Sequence, residues 1–303
     1  MISRRGLMAG LSLAAVPGLA RADDAPAVPV RVPVTFTAGG TPLLQVAING
    51  QGPFSFVIDT GAEASAIRQS LVEPLKLHFV NGMTVGGVGG EDIAGLYTAD
   101  EVVFGGALRQ SKVFFQGLTH FNAHDGLIAA GFLTTFPSEL DYGRSEVRIY
   151  PKGQPDMTGY IPVRSQVQNW DGLHAPRIFC DLTIDGIAVK ALVDTGADTE
   201  LLLYGSVVKA NNLWDRYKTF RLSSGVGVTG ARVPTRVVTM PDLRMGDLHA
   251  GSVNVTLFDP RDYEGDAHNA IIGSRFLSNF SMMVTKAGKI ALRPNADSLA
   301  PKG

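Results

Sequence analysis

Phe54-Ser55-Phe56-Val57-Ile58-Asp59-Thr60-Gly61-Ala62 and Val189-Lys190-Ala191-Leu192-Val193-Asp194-Thr195-Gly196-Ala197 end on the same four residues. The two aspartates stand 135 residues apart. Each copy is an apolar, strand-like run preceded by a two-residue turn signal, Asn49-Gly50 in the first and Asp185-Gly186 in the second. A carboxylate at the end of a strand, followed by a hydroxyl and a glycine, is a poor choice for packing. Its recurrence in the same setting points to two half-domains that bring two carboxylates together.

Working outward, the first half begins near Val28, with an alternating strand over residues 30–37 and another over residues 43–48. A short helix is expected within residues 64–75. Then come the glycine-rich run Val85-Gly86-Gly87-Val88-Gly89-Gly90, strands around 101–104 and 112–115, and the apolar segment Leu127-Ile128-Ala129. Leu140-Asp141-Tyr142-Gly143 and Val147-Arg148-Ile149-Tyr150 close this half. The second half repeats the order: a strand run ending at Asp194, a short helix over 205–211, the glycine-rich run 223–230, strands near 243–246 and 253–255, Ile271-Ile272-Gly273, and a closing hairpin from 282–284 and 289–292. The interval from aspartate to apolar segment is 68 residues in one half and 77 in the other, so loop insertions are implied. The expected organisation is a targeting segment 1–22, a first lobe 28–151, a Pro/Gly-containing linker 152–159, a second lobe 160–294 and a polar tail 295–303.

Composition narrows the class. The chain has 303 residues, 45% hydrophobic and 18% charged, enough for a sizeable core. Its 35 glycines and 17 prolines favour a turn-rich, mostly β protein. A net charge of −1 gives no electrostatic reason to expect nucleic acid. No apolar run reaches the roughly 18 residues of a spanning helix, so no stable membrane insertion of the mature chain is expected. The single cysteine, Cys180, excludes an internal disulfide and a thiolate metal cluster and reads as a small strand residue. None of the six histidines forms a close metal-binding pair, and neither a phosphate loop with a lysine nor a Gly-x-Ser-x-Gly elbow occurs. No metal and no cofactor are expected.

The N-terminus carries Ser3-Arg4-Arg5-Gly6-Leu7-Met8, a short apolar region to Ala20, and the small-x-small site Ala20-Arg21-Ala22. It resembles a twin-arginine export signal, with an ordinary secretory signal as the alternative. Cleavage there would leave 24 basic and 28 acidic residues in a periplasmic or secreted protein.

The repeated Asp-Thr-Gly-Ala resembles the aspartic proteases, over roughly residues 28–293. The resemblance implies a mostly β chain whose two homologous lobes, each a small closed β barrel, form a pseudo-dimer with the site between them. It implies Asp59 and Asp194 as the catalytic pair, Thr60 and Thr195 as a crossed hydrogen-bonding pair, and Gly61 and Gly196 as points of close backbone approach. Ala62 and Ala197 are small enough for a crowded dyad and resemble the retropepsin-like branch more than the pepsin-like one. Asp198 stands where retroviral-type enzymes often carry an aspartate that binds the substrate backbone; Glu63 stands there in half one. Ile271-Ile272-Gly273 resembles the segment that braces the aspartate loop, but half one has Ala129 where the tight crossing asks for glycine. The arginine that usually follows the glycine is replaced by Ser274, with Arg275 next, so an Arg275–Asp198 pair becomes a question for the structure. Gly87, Val88 and Gly89, and Gly225, Val226 and Gly227, sit where the family places flaps. Leu127, Ile128, Ile271 and Ile272 are expected to line apolar pockets.

These readings converge on an exported aspartic endopeptidase that acts as a monomer on a peptide or protein substrate and cleaves beside apolar residues. Two alternatives stay open. One is a periplasmic peptide-binding protein that keeps the cleft without turnover, with Ala129 as its support. The other is an obligate dimer whose halves associate between chains.

Overall fold

A computed structural model describes residues 28–295 except 88–89, 122, 169–174, 227–231, 261–268 and 286. The segment 1–22 and residues 296–303 of the expected tail lie outside the described residues, as do Val88, Gly89 and Gly227.

The first half runs β1 (Val30–Pro33), β2 (Thr35–Phe36), β3 (Pro42–Ile48), β4 (Gln51–Asp59), β5 (Ala66–Arg68), β6 (His78–Gly87), β7 (Gly90–Phe104), β8 (Leu108–Leu118), β9 (Gly126–Ala129), α1 (Gly131–Thr134), β10 (Ser138–Asp141) and β11 (Glu146–Ile149). The second runs β12 (Ile161–Pro162), β13 (Ser165–Gln168), β14 (Arg177–Ile184), β15 (Ile187–Asp194), β16 (Leu201–Leu203), α2 (Gly205–Ala210), α3 (Leu213–Arg216), β17 (Arg221–Val226), β18 (Arg232–Met245), β19 (Leu248–Phe258), β20 (Ala270–Gly273), α4 (Ser274–Leu277), β21 (Phe280–Val284) and β22 (Ile290–Pro294).

Each half closes on itself. In lobe one the order β3-β4-β9-β5-β8-β7 returns to its start through the β3–β7 pairing; in lobe two β14-β15-β20-β16-β19-β18 returns through β14–β18. Two six-stranded barrels result, and closure removes the free edges that such strands would otherwise expose. A third sheet, β1-β11-β10-β21-β22-β12, takes strands from both halves and is joined at β10–β21, where Ser138 faces Val284 and Leu140 faces Met282. The closing segments read separately in the sequence thus meet in one sheet.

The hairpins that deliver the two aspartates form for a local reason. Asn49 and Gly50 have φ of 49° and 76°, and Asp185 and Gly186 have 49° and 77°. Such a turn needs positive φ at both central residues, which Asn-Gly and Asp-Gly tolerate best. Along β4, Phe56 and Ile58 are fully buried in the barrel while Val57 and Asp59 point the other way; along β15, Ala191 and Val193 are buried in the same core and Leu192 and Asp194 alternate with them.

One expected element is corrected. No helix fills residues 64–75; the chain forms strand β5 and a single 3-10 turn over Gln69–Leu71. Ala66 and Ile67 are captured between β8 and β9, and this pairing outweighs a weak local preference for helix. The second expected helix forms as α2.

Candidate active site

β4 and β15 each end in a parallel pairing, β4 with β9 and β15 with β20. Asp59 stands opposite Ala129 and Asp194 opposite Gly273. The two loops that follow cross between lobes. Thr60 donates its hydroxyl to the Val193 carbonyl (2.6 Å) and accepts the Thr195 backbone N–H (3.0 Å). Thr195 does the reverse, donating to the Ile58 carbonyl (2.5 Å) and accepting the Thr60 N–H (3.2 Å). Both threonines are fully buried, so these four bonds satisfy groups that water cannot reach.

The carboxyl groups of Asp59 and Asp194 are hydrogen-bonded to each other. Asp59 Oδ1 accepts the N–H groups of Gly61 (2.9 Å) and Ala62 (3.1 Å), and Asp194 Oδ1 accepts those of Gly196 (2.9 Å) and Ala197 (3.0 Å). The glycines have a second, sharper reason. A Cβ on Gly61 would lie 2.5 Å from Cγ of Asp194, and a Cβ on Gly196 would lie 2.6 Å from Cγ of Asp59. The carboxyl of one lobe occupies the space that a side chain of the other would need.

Burial pushes both carboxyls above the ordinary carboxylate range. The two groups titrate as a pair, the charge of one opposing ionisation of the other, while the N–H groups of Gly61, Ala62, Gly196 and Ala197 act the other way. Such a pair holds one proton between its members and presents an acid and a base together.

The two halves brace their loops differently. In lobe two the N–H of Gly273 donates to the Glu200 carbonyl, and a Cβ there would strike the Thr199 and Ala197 carbonyl oxygens at 2.4 and 2.6 Å. In lobe one the N–H of Ala129 donates to the Ser65 hydroxyl instead (3.0 Å). The N–H of Ala130 still reaches the Ala62 carbonyl, as that of Ser274 reaches Ala197.

The acids after the dyad loops are both engaged. Asp198 forms a two-point pair with Arg275, Nε to Oδ1 at 2.7 Å and an Nη to Oδ2 at 3.0 Å. It also occupies the space where Gly39 of lobe one lacks a side chain. Glu63 is paired across the lobes with Arg177 (2.6 Å), and its carbonyl accepts the Ala175 N–H. The residues flanking Gly39 add a contact that sequence reading missed: the Ser274 hydroxyl lies 3.0 Å from the Gly39 carbonyl and 2.9 Å from that of Ala197, with the Thr41 hydroxyl alongside at 3.3 Å. The one available signal was the replacement of arginine by Ser274. Arg177 gave none, being 114 positions from Glu63.

The expected pocket lining is corrected in part. Ile128 and Ile272 belong to the barrel core and point away from the carboxyls. Leu127 and Ile271 alternate with them and lie on the aspartate side. Ile271 packs there with Leu192, Leu202, Tyr204, Phe258 and the partly buried Ala197. The described residues of the two glycine-rich runs lie in paired strands, β6–β7 with Gly87 opposite Gly90, and β17–β18 with Gly225 opposite Val233 and Val226 opposite Arg232. Among the described residues no group of three or more His, Cys, Asp or Glu side chains could hold a metal ion.

A family model described as "Aspartyl protease" matches residues 44–129 and 180–276, together more than half of the chain. The fold is similar to that in the crystal structure of aspartic proteinase from Irpex lacteus, with a TM-score of 0.58 at 12% identity, covering 91% of this chain and 100% of that one. A search of curated proteins found no match.

Proposed function

The chain belongs to the aspartyl protease family, and from that premise we propose that it is an exported aspartic endopeptidase in which a water bound between Asp59 and Asp194 attacks the peptide carbonyl. The charged carboxyl takes a proton from the water while the protonated one polarises the carbonyl and then supplies the leaving amine. No metal and no covalent intermediate enter this scheme. The single observation that carries the reading is the hydrogen-bonded carboxyl pair, cradled by four backbone N–H groups and locked by the crossed threonines.

Glu63 and Asp198, held by arginines beside the dyad, are the groups proposed to meet the substrate backbone. The two glycine-rich runs are proposed to close over it, and Leu127 and Ile271 to favour cleavage beside apolar side chains. The Arg4-Arg5 pair and the Ala20-Arg21-Ala22 site support export, and no helix among the described residues is long and apolar enough to cross a membrane. The alternative of a peptide-binding protein without turnover rests on Ala129. The Ser65 hydroxyl, which takes over the brace at that point, weakens it.

The test is cleavage of a mixed peptide library by the chain lacking residues 1–22, beside Asp59→Asn and Asp194→Asn, across a range of pH. Cleavage lost in both variants is expected. Because the pair must hold one proton, the rate should pass through a maximum and fall once that proton is lost, above the ordinary carboxylate range. Cleavage that survives both substitutions would refute the mechanism, and peptide binding without cleavage by all three proteins would favour the binding reading.

A further inference from the structure

In lobe one Phe56, Ile58, Ile67, Phe115 and Ile128 point into the barrel. The residues that alternate with them share the face of Asp59. The register sets five of these in one row across the sheet: Val57 opposite Leu127, Leu127 opposite Ala66, Ala66 opposite Gln116, and Gln116 opposite Leu96. Lobe two repeats the row as Leu192, Ile271, Leu202, Thr256 and Val237.

The two rows differ where it matters. Ala66 stands in the place of Leu202, and Gln116 in the place of Thr256. In lobe two Leu192, Ile271 and Leu202 of the row pack with Phe179, Tyr204 and Phe258 into an apolar cluster, and the Thr256 hydroxyl is paired with that of Thr199 (3.1 Å). In lobe one Gln116 is only 8% exposed, and the one hydrogen bond its side chain makes among the described residues runs from Nε2 to the thioether of Met83, on β6 (3.4 Å). A thioether is a weak acceptor, and an amide brings two donors and an oxygen. The amide oxygen of Gln116 is not among the sealed, unpaired polar atoms of the described residues, so it stays open to a new partner, while Nε2 has only the weak thioether acceptor.

We infer that Gln116, with the small Ala66 beside it where lobe two has a leucine, is a specificity-determining residue. It makes the lobe-one wall of the cleft a site for a substrate side chain ending in a carboxamide or hydroxyl. An incoming carboxamide replaces the Met83 sulfur as acceptor for Nε2 and donates in turn to Oε1. A charged side chain is disfavoured, since the row carries no charge to offset its desolvation. The matching row of lobe two, filled by Leu202 and packed on Phe258, offers no such amide. This inference rests on the reading of the cleft as a peptide site.

The experiment compares peptides that differ only by Gln or Met, near-isosteres, at each position around a cleaved bond. The wild type is expected to favour Gln at one position by roughly tenfold or more in kcat/KM, the scale of discrimination that an unpaired buried polar group supplies. Gln116→Leu is expected to remove that preference while still cutting the Met peptide. Gln116→Thr, the residue of the other lobe, takes its place if the leucine variant does not fold. The same ratio is read as a ratio of Kd values on the Asp59→Asn chain, which needs no turnover. A wild type without a Gln preference at any position, or a preference that survives Gln116→Leu, overturns the inference and leaves proteolysis standing. Binding with the Gln preference but no cleavage by the wild type would overturn proteolysis and uphold the inference. Binding of no peptide at all would overturn both.

Discussion

At the scale of the residue, the dyad is held by what two glycines lack. Gly61→Ala or Gly196→Ala would drive a methyl group into the opposing carboxyl, 2.5–2.6 Å from its carbon. Overpacking of this kind costs about 1–3 kcal/mol. Misplacing the reacting groups by even about 1 Å is expected to lower kcat about 100-fold. Denaturant unfolding and single-turnover cleavage would read the two effects separately. The dyad also has a stability signature with a definite sign. A carboxyl whose folded pKa lies above its unfolded value keeps its proton longer in the folded chain, so folding is penalised as pH rises past the raised value. Removing either member, by Asp59→Asn or Asp194→Asn, should therefore give a higher melting temperature than the wild type at neutral pH. A lower melting temperature in both variants would mean that the pair is not strained by its burial.

At the scale of the element, the sheet shared by the lobes carries a carboxyl of the opposite behaviour, Asp141. Glu139 and Asp141, on β10, are each 2% exposed. Glu139 accepts from Arg148 (2.6 Å), Arg293 (3.0 Å), Tyr150 (3.2 Å) and Tyr160 (2.5 Å), and Asp141 from Arg148 (2.5 Å) and Arg144 (2.9 Å). These partners lie on β11 and β22 and beside the crossing between halves, so the network ties lobe one to lobe two. Burial raises the Asp141 carboxyl, but hydrogen bonds from Arg144 and the charge of Arg148 outweigh it and hold Asp141 below its ordinary value. Its contribution is present above the ordinary carboxylate range and lost as pH falls through the depressed value. Stability is expected to fall in acid for this reason. Asp141→Asn should flatten that fall and, by breaking a buried pair, cost about 3–5 kcal/mol at neutral pH. Denaturant midpoints measured across pH would check both, and an unchanged acid profile in the variant would remove the network as its source.

At the scale of the whole molecule, one chain builds both barrels and the sheet between them. Each dyad loop is steadied by the other lobe: the segment around Gly39 presses on Asp198, and Arg177 grips Glu63. Everything needed to assemble the pair is thus supplied within one chain. A chain that works as a monomer has no association step linked to folding, so its unfolding midpoint is expected not to move over a hundredfold range of protein concentration. A midpoint that rises with concentration would restore the alternative in which halves pair between chains.

The amino-acid sequence by itself determined the repeat, the two turns before it and the identity of the paired carboxyls. Those features are local: Asn-Gly and Asp-Gly suit positive φ, alternating residues make half-buried strands, and a carboxylate before Thr-Gly has little use in packing. Only the tertiary structure decided which of two adjacent apolar residues faces the cleft. Leu127-Ile128 and Ile271-Ile272 are continuous apolar runs, and a slip of one residue in register would exchange the faces without changing the pattern. It also decided that residues 66–68 are strand rather than helix, that Arg177 meets Glu63, and that Gln116 shares a row with Ala66 and Leu127. Each of these depends on which distant strand lies alongside, a choice made by the closure of the barrel rather than by neighbours in the chain.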